Sequence, residues 1–387
     1  MKRVIIISIL LIGNVFAQEN IVFQSGEGGY DFFRIPAIVQ LKPNHLIAFA
    51  EGRVNGSGDF GNVDIVYKVS QNGGETWTVL KTLIDNKTLQ AGNPAPVIDL
   101  MDPMFPNGVL YLFYNTGNNH ENEVRKGNGV REVWYVKSTD GAKNWSTPVN
   151  ITLQVHRPKN PAYNASYVFK EDWRSYANTP GHALQISSGK FAGRLIVPAN
   201  HSSGNPISKF LDYRAHLFFS DDHGKTFHLS DDVDIPGSNE STAAELSKGG
   251  VLMNIRNQSS NPRNRILSFS SSGGQHWDTT YSSQKLIDPV CQGSLLNVQS
   301  KKKSYLLFSN AHSMQSRDSL SIHLSSNDGH SWELKTIIDK SPISFKGDWT
   351  AYSDLVEVNT KSIGIIYERN NYKEIVFKKI DKKIIIN

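Results

Sequence analysis

Apolar and polar residues alternate in short runs along most of the chain, and each run stops at Gly, Asn, Asp or Ser. Val, Ile, Tyr and Phe dominate the runs, which is the composition of half-buried strands. The pattern predicts strands over residues 34–41, 45–50, 63–70, 109–115, 132–138, 215–220, 251–257, 265–270, 304–310, 320–325, 362–369 and 374–379. No segment keeps a helical apolar stripe for 15 residues, and no Pro- or Gly-rich linker separates domains. Strands that follow one another without helical crossovers imply an all-β architecture, closed or radial.

The start of the chain departs from this pattern. Met1-Lys2-Arg3 precede an apolar run from Val4 to Ile12, interrupted only by Ser8, and Val15-Phe16-Ala17 follow. That order predicts a signal peptide over 1–17, a mature body over 18–387 and an exported protein. The run is too short to span a bilayer, and no other segment is apolar enough, so no membrane insertion is expected. The single cysteine, Cys291, excludes an intrachain disulfide and a thiolate zinc site, and is expected to be a buried thiol. The 41 Lys and Arg residues nearly balance 36 Asp and Glu and are mostly scattered, which argues against nucleic-acid binding. A long exported chain without disulfides must take its stability from a large core.

A repeat narrows the architecture. Ser220–Phe227 reads S-x-D-x-G-x-T-aromatic, and Ser325–Trp332 and Ser70–Trp77 fit with Asn in the Asp place. Ser138–Trp145 lacks the Gly at the fifth place, and Ser270–Trp277 has Ser for Asp. The starts lie 68, 82, 50 and 55 residues apart, about one small sheet each. Each copy follows a strand. Its Asp or Asn side chain suits bonds to nearby backbone N–H groups, its Gly tolerates positive φ, and its aromatic ring suits a neighbouring sheet. This spacing resembles the Asp boxes of the sialidase superfamily, which implies a six-bladed β-propeller with one blade lacking a box and a single catalytic domain.

Further motifs resemble the exo-sialidases of that superfamily. Phe33-Arg34-Ile35-Pro36 is similar to the family's F-R-I-P signature, and the resemblance makes Arg34 the first of three arginines that clamp a substrate carboxylate. A guanidinium fork suits that task. The glycine-rich loop from Glu51 to Asp64 presents Asp59 beside Arg53; by resemblance Asp59 is the acid/base and Arg53 a substrate contact, with Asp64 structural. Asn93-Pro94-Ala95-Pro96-Val97-Ile98-Asp99 resembles N-P-x-P-V-x-D, implying that Asp99 lies near the substrate; Ala95 stands where relatives often have Cys. Asn239–Leu246 resembles N-E-S-x-x-x-E-L and offers two carboxylates. Glu245, which precedes Leu246, is taken as the base partner of the nucleophile, and Glu240 is the alternative. Arg256 and Arg317 fill the other clamp positions, with Arg263 and Arg265 as alternatives to Arg317. Tyr352, in Tyr352-Ser353-Asp354-Leu355, matches the family's tyrosine nucleophile, and Glu368 the residue that orients Arg34.

The resemblance therefore implies an exo-α-sialidase that acts with retention on sialylated glycoproteins, glycolipids and oligosaccharides. It implies no cofactor and no metal in the chemistry, and a monomer. The rival readings are a non-catalytic sialic-acid-binding propeller and a relative that transfers sialic acid or forms an anhydro product. Asn55, in an N-x-S sequon inside the acid/base loop, favours a bacterial source, where such sites stay unmodified. Linkage preference is set by rim loops that one sequence does not interpret.

Overall fold

In the computed structural model, which describes residues 19–386, each predicted strand falls on an observed one. The predicted signal peptide lies outside the described residues. Hydrogen bonding divides the strands into five sheets, not the six separate sheets expected. Two of the four-stranded sheets span Ser238–Ile287 and Ser294–Asp339, and a five-stranded one starts at Trp173–Asn178 and ends at His228–Leu229. The largest, with eight strands, consists of two antiparallel runs. One starts at Phe32–Lys42 and the other at Gln90–Asp99, and among the described residues a single parallel strand pairing joins them, Val63 with Gln90. The last sheet holds Thr350–Asn359, Ser362–Arg369, Glu374–Asp381 and, as its fourth strand, Glu19–Gln24. The N-terminal strand thereby completes the C-terminal sheet, so the two ends of the chain close one ring of sheets. Among the described residues no helix is long and apolar enough to cross a membrane.

The sheets stand around an axis, which makes the fold an all-β propeller. Their first strands line that axis. Phe32–Lys42, Gln90–Asp99, Ser238–Glu245 and Thr350–Asn359 each border one cavity with their early residues and a second cavity with their late residues. Between adjacent sheets lie dry apolar layers, such as Val22, Phe33, Ile38, Ala48, Ile366 and Phe377 at the closure of the ring. Each fully buried Phe there stabilises by roughly 1.5–3 kcal/mol. Layers of this kind do the work that disulfides do in small exported domains.

The five repeated turns share one geometry, including the two degenerate copies. In each, the Ser hydroxyl accepts the backbone N–H four residues on: Gly74, Ala142, Gly224, Gly274 and Gly329, at 2.9–3.0 Å. The Asp, Asn or Ser two places after it accepts from the N–H of the seventh residue at 2.8–3.0 Å. The closing aromatic then packs inward, as Trp77 does edge-on against Phe377 at 5.6 Å. Gly74 sits at φ 89°, and a Cβ there would lie 2.0 Å from the Phe377 ring, whereas Gly141 at φ 74° faces open space. We therefore expect Gly74→Ala to cost about 3 kcal/mol or more in urea unfolding, and Gly141→Ala only the backbone cost of about 1–2 kcal/mol.

Candidate active site

The first strands deliver their side chains to the axis through local breaks in pairing. Register slips between Arg34 and Ala37, Gly92 and Ala95, Trp173 and Tyr176, Ser238 and Ser241, and Thr350 and Ser353. A β-bulge adds a residue and re-aims its neighbours. The residues so re-aimed, Arg34 and Ile35, Asn93, Ser175, Asn239 and Glu240, and Tyr352, all line the same cavity of about 230 Å³. Ile35 carries φ 56°, costly for a β-branched residue, and its N–H is pinned by the Glu368 carboxylate at 2.8 Å.

Three arginines surround Tyr352. Arg256 donates to the Tyr352 hydroxyl at 2.7 Å, while the Arg34 and Arg317 guanidinium carbons lie 5.6 and 5.4 Å from the centre of its ring. Glu368, fully buried, accepts from Arg34 Nε at 2.7 Å and from the Tyr352 backbone N–H at 3.2 Å. It takes Arg34 through Nε, so the terminal nitrogens remain for an acceptor in the cavity. Burial alone would pull the Arg34 guanidinium down, but the adjacent Glu368 carboxylate outweighs it and raises it. Arg317 also donates to the Tyr372 hydroxyl at 3.2 Å, and the Tyr372 ring covers Arg34 at 3.9 Å. Of the alternatives to Arg317, Arg263 donates to the Met314 carbonyl and Arg265 is buried against Asp288, so neither enters the cavity.

The carboxylate beside the Tyr352 hydroxyl is that of Glu240. Tyr352 donates to Glu240 Oε1 at 2.6 Å, and Arg256 donates to Glu240 Oε2 at 2.6 Å. This corrects the expectation for Glu245. The two glutamates share the strand Ser238–Glu245, but at about 3.3 Å per residue they stand roughly 17 Å apart along it. Glu245 belongs to the other end of the axis, where its oxygens accept from the N–H and hydroxyl groups of Ser187 and Ser188 at 2.6–3.1 Å. Asp99 is corrected for the same reason. It ends its strand, is fully buried, and accepts from Met101 N, Asp102 N and Gln185 Nε2 while meeting His223 Nδ1 at 2.8 Å. Asn93, at the start of that strand, is the one that reaches the cavity. Asp64 accepts from the Tyr30 hydroxyl, and Cys291 is a buried thiol pushed up to about 12 by burial.

Asp59 stands at the cavity rim on the glycine-rich loop, its side chain 76% exposed. Arg53, almost fully buried, holds it at 2.9 Å and is itself held by Glu51 through Nε and Nη2 at 3.0 and 2.6 Å. Crowding by the protein pushes the Asp59 carboxyl up, but Arg53, Arg34 and Arg131 together hold it below the usual range. Tyr352 moves the opposite way. Burial and then the Glu240 carboxylate raise its phenol well above 10, against the pull of Arg256 and Arg317. Glu51, Gln90, Glu121, Arg131, Asn239 and Gln258 also line the cavity and were given no role from the sequence, although Glu51 opens the glycine-rich loop segment and Asn239 opens the Asn239–Leu246 motif.

A larger cavity, about 480 Å³, opens at the far end of the axis and includes Glu245 and His182, but none of the arginines borders it. Charge, not volume, identifies the site.

A profile of the BNR repeat-like domain matches residues 44–366. The chain belongs to that family. Within it, the chain is 28% identical over 362 residues to a sialidase of Micromonospora viridifaciens, covering 89% of this chain and 51% of that relative. The chain thus spans about half the length of that relative, but it covers 94% of Sialidase-2 of Cricetulus griseus, to which it is 27% identical over 380 residues. Among solved structures, a Hadza microbial sialidase superposes with a TM-score of 0.75 at 22% identity, covering 93% of this chain and 68% of that one. An intramolecular trans-sialidase from Ruminococcus gnavus superposes with a TM-score of 0.71 at 16% identity, covering 95% and 98%. These likenesses establish the BNR-repeat propeller fold.

The geometry makes Glu368 the support on which the arginine cluster stands. Glu368→Gln should cost about 3–5 kcal/mol in denaturant unfolding, because it leaves the Arg34 charge buried and uncompensated. Adding Arg34→Met to that variant should restore part of the loss.

Proposed function

We propose that this protein is an exo-α-sialidase, a retaining glycoside hydrolase that removes terminal α-linked sialic acid from glycoproteins, glycolipids and oligosaccharides. The observation that carries this reading is the convergence of Arg34, Arg256 and Arg317 on a buried tyrosine that is hydrogen-bonded to a carboxylate. Three guanidinium groups in one cavity suit a substrate that carries a carboxylate at its reacting carbon. Such a substrate repels an Asp or Glu nucleophile, and a neutral phenol avoids that repulsion; sialidases differ from most glycosidases in using Tyr.

In the proposed mechanism the arginines fix the substrate carboxylate and set the anomeric carbon over Tyr352. The phenol oxygen forms a bond to that carbon while the bond to the leaving oxygen breaks. Burial and the neighbouring Glu240 carboxylate favour the neutral phenol over the phenolate. Glu240 takes the proton as the new bond forms, and Arg256, which touches both groups, stabilises the negative charge that develops. Asp59 supplies the proton to the leaving oxygen from the rim. It is ion-paired to Arg53 without substrate, so its acid role depends on the bound glycan displacing water and on the substrate carboxylate offsetting the arginines. Water then enters, Asp59 accepts its proton, and Glu240 returns the first proton to the phenol oxygen as the tyrosyl bond breaks, with net retention. The chemistry draws on side chains of this chain alone.

Two structural readings accompany the proposal. The eight-stranded sheet counts as two blades, because its halves share a single parallel pairing, and the propeller then has six. The repeated turns are read as Asp boxes. Export, followed by action in the periplasm or outside a bacterial cell as a monomer, is proposed from the N-terminal leader pattern.

Tyr352→Phe should abolish nearly all turnover of a fluorogenic α-sialoside while sialic acid still binds; wild-type-like turnover would sink the assignment. Glu240→Gln should lower kcat by about 100-fold or more, whereas Glu245→Gln should leave the turnover of folded protein near wild type. The reverse pattern would return the base role to Glu245.

A further inference from the structure

Behind one wall of the catalytic cavity lies a polar cluster that the proposed chemistry does not use. Strands Trp173–Asn178, Leu195–Ser203 and Tyr213–Ser220 are neighbours in one sheet. Ser175, Tyr176 and Asn200 on these strands line the cavity. Close by, His201 and His216 are almost completely buried, as is His156 from the preceding segment. The Nδ1 atoms of His201 and His216 lie 3.2 Å apart, and Trp173 stacks flat on the His201 ring at 3.5 Å, which fixes its plane. Asp232 approaches from the surface, with a carboxylate oxygen 3.6 Å from His201 Nε2. One donor atom from each of His201, His216 and Asp232 lies within 4.8 Å of the other two.

The hydrogen bonding of this cluster is incomplete. His216 Nε2, both ring nitrogens of His156 and the Tyr176 hydroxyl are buried without a partner among the described residues. A buried polar atom left unpaired is destabilising. Among the described residues no Lys or Arg nitrogen lies within 4 Å of the Asp232 carboxylate, and His201 Nε2 is its near neighbour. A bridging water would pair one imidazole but would not neutralise Asp232. A divalent cation would do both.

We propose that His201, His216 and Asp232 bind one divalent first-row transition-metal ion, with zinc preferred, at a site separate from the catalytic cavity. Two imidazoles and one carboxylate are a donor set for zinc and its neighbours, whereas calcium and magnesium take oxygen ligands. Ligands bound at roughly 2.0–2.2 Å on a tetrahedral ion stand about 3.3 Å apart, so one nitrogen of each imidazole and one Asp232 oxygen, already within 4.8 Å of one another, would draw in slightly around the ion. The Asp232 side chain, 41% exposed, closes the third position by rotation about its own bonds, and water takes the fourth. The ion would tie strand Leu195–Ser203 to strand Tyr213–Ser220 and to the segment carrying Asp232. It would stiffen the wall that carries Tyr176 and Asn200 without entering the bond-breaking steps.

The test uses untagged full-length mature protein, stripped with chelator, dialysed and titrated with Co²⁺ alone. The expected result is one equivalent bound, with the visible absorption of a tetrahedral site, displacement by Zn²⁺, and a higher unfolding midpoint with Zn²⁺ than without metal. Asp232→Asn and His201→Gln, each checked for native circular dichroism, should weaken Co²⁺ binding by about tenfold or more. If His201→Gln does not fold, Asp232→Asn decides alone, since Asp232 lies at the surface. Absence of stoichiometric binding by the parent, or undiminished binding by the folded variants, overturns the site.

Discussion

One buried carboxylate, that of Glu368, holds the catalytic end of the propeller together. It accepts from Arg34 Nε, from the N–H of Ile35 in its left-handed conformation, and from the N–H of Tyr352. Those three groups sit on two sheets that meet where the ring closes. A carboxylate without such partners would be expelled from this interior or neutralised, so the sheets must meet in this register for the charge to be tolerated. Asp354, two residues after Tyr352, does a similar job further along the axis. Its oxygens accept from Ile38 N, His182 N and the Ser294 hydroxyl, joining segments from four parts of the chain. The closing strand thus carries Tyr352 and a structural pin on successive inward-facing positions.

Around that frame, Arg34, Arg256 and Arg317 gather beside Tyr352, while Glu51, Asp59, Glu121 and Glu240 balance much of the charge around the cavity. The arginine cluster opposes the effect of burial on both Tyr352 and Asp59. It restrains the rise of the Tyr352 phenol that burial imposes, and it keeps Asp59 ionised until a ligand arrives. Bulges in the first strands make this crowding possible, since regular strands would turn alternate residues away from the axis.

How much of this was legible in the sequence depended on what each strand faces. The strands in the middle of each sheet, such as Val63–Ser70 and Ser362–Arg369, are buried on both faces and rich in β-branched residues, and they were read directly. Among the first strands, Gln90–Asp99, Ser238–Glu245 and Thr350–Asn359 were not. They line the axis and carry Pro, Asn, Ser and Glu for the site, so their composition resembles that of loops. Arg34, Arg53, Arg256, Asp59, Tyr352 and Glu368 stood in motifs distinctive enough to be placed one by one, whereas Arg317 was placed only by its position before the last repeat, with Arg263 and Arg265 as alternatives. Arg131 and Tyr372 had no such motif, and only the meeting of distant strands brings them to the cavity or its rim.

The sequence by itself determined the all-β repeat, its turns and the inventory of charged groups, because these depend on local hydrogen bonding and on residue type. Tertiary structure alone decided which of two glutamates on one strand serves the tyrosine, and that Asp99 belongs to the far end of the axis. Both choices turn on position along a strand and on a bulge that residue types do not reveal. The physical reason is length: one first strand runs from one cavity to the other, so a motif names a strand without saying which end meets the substrate.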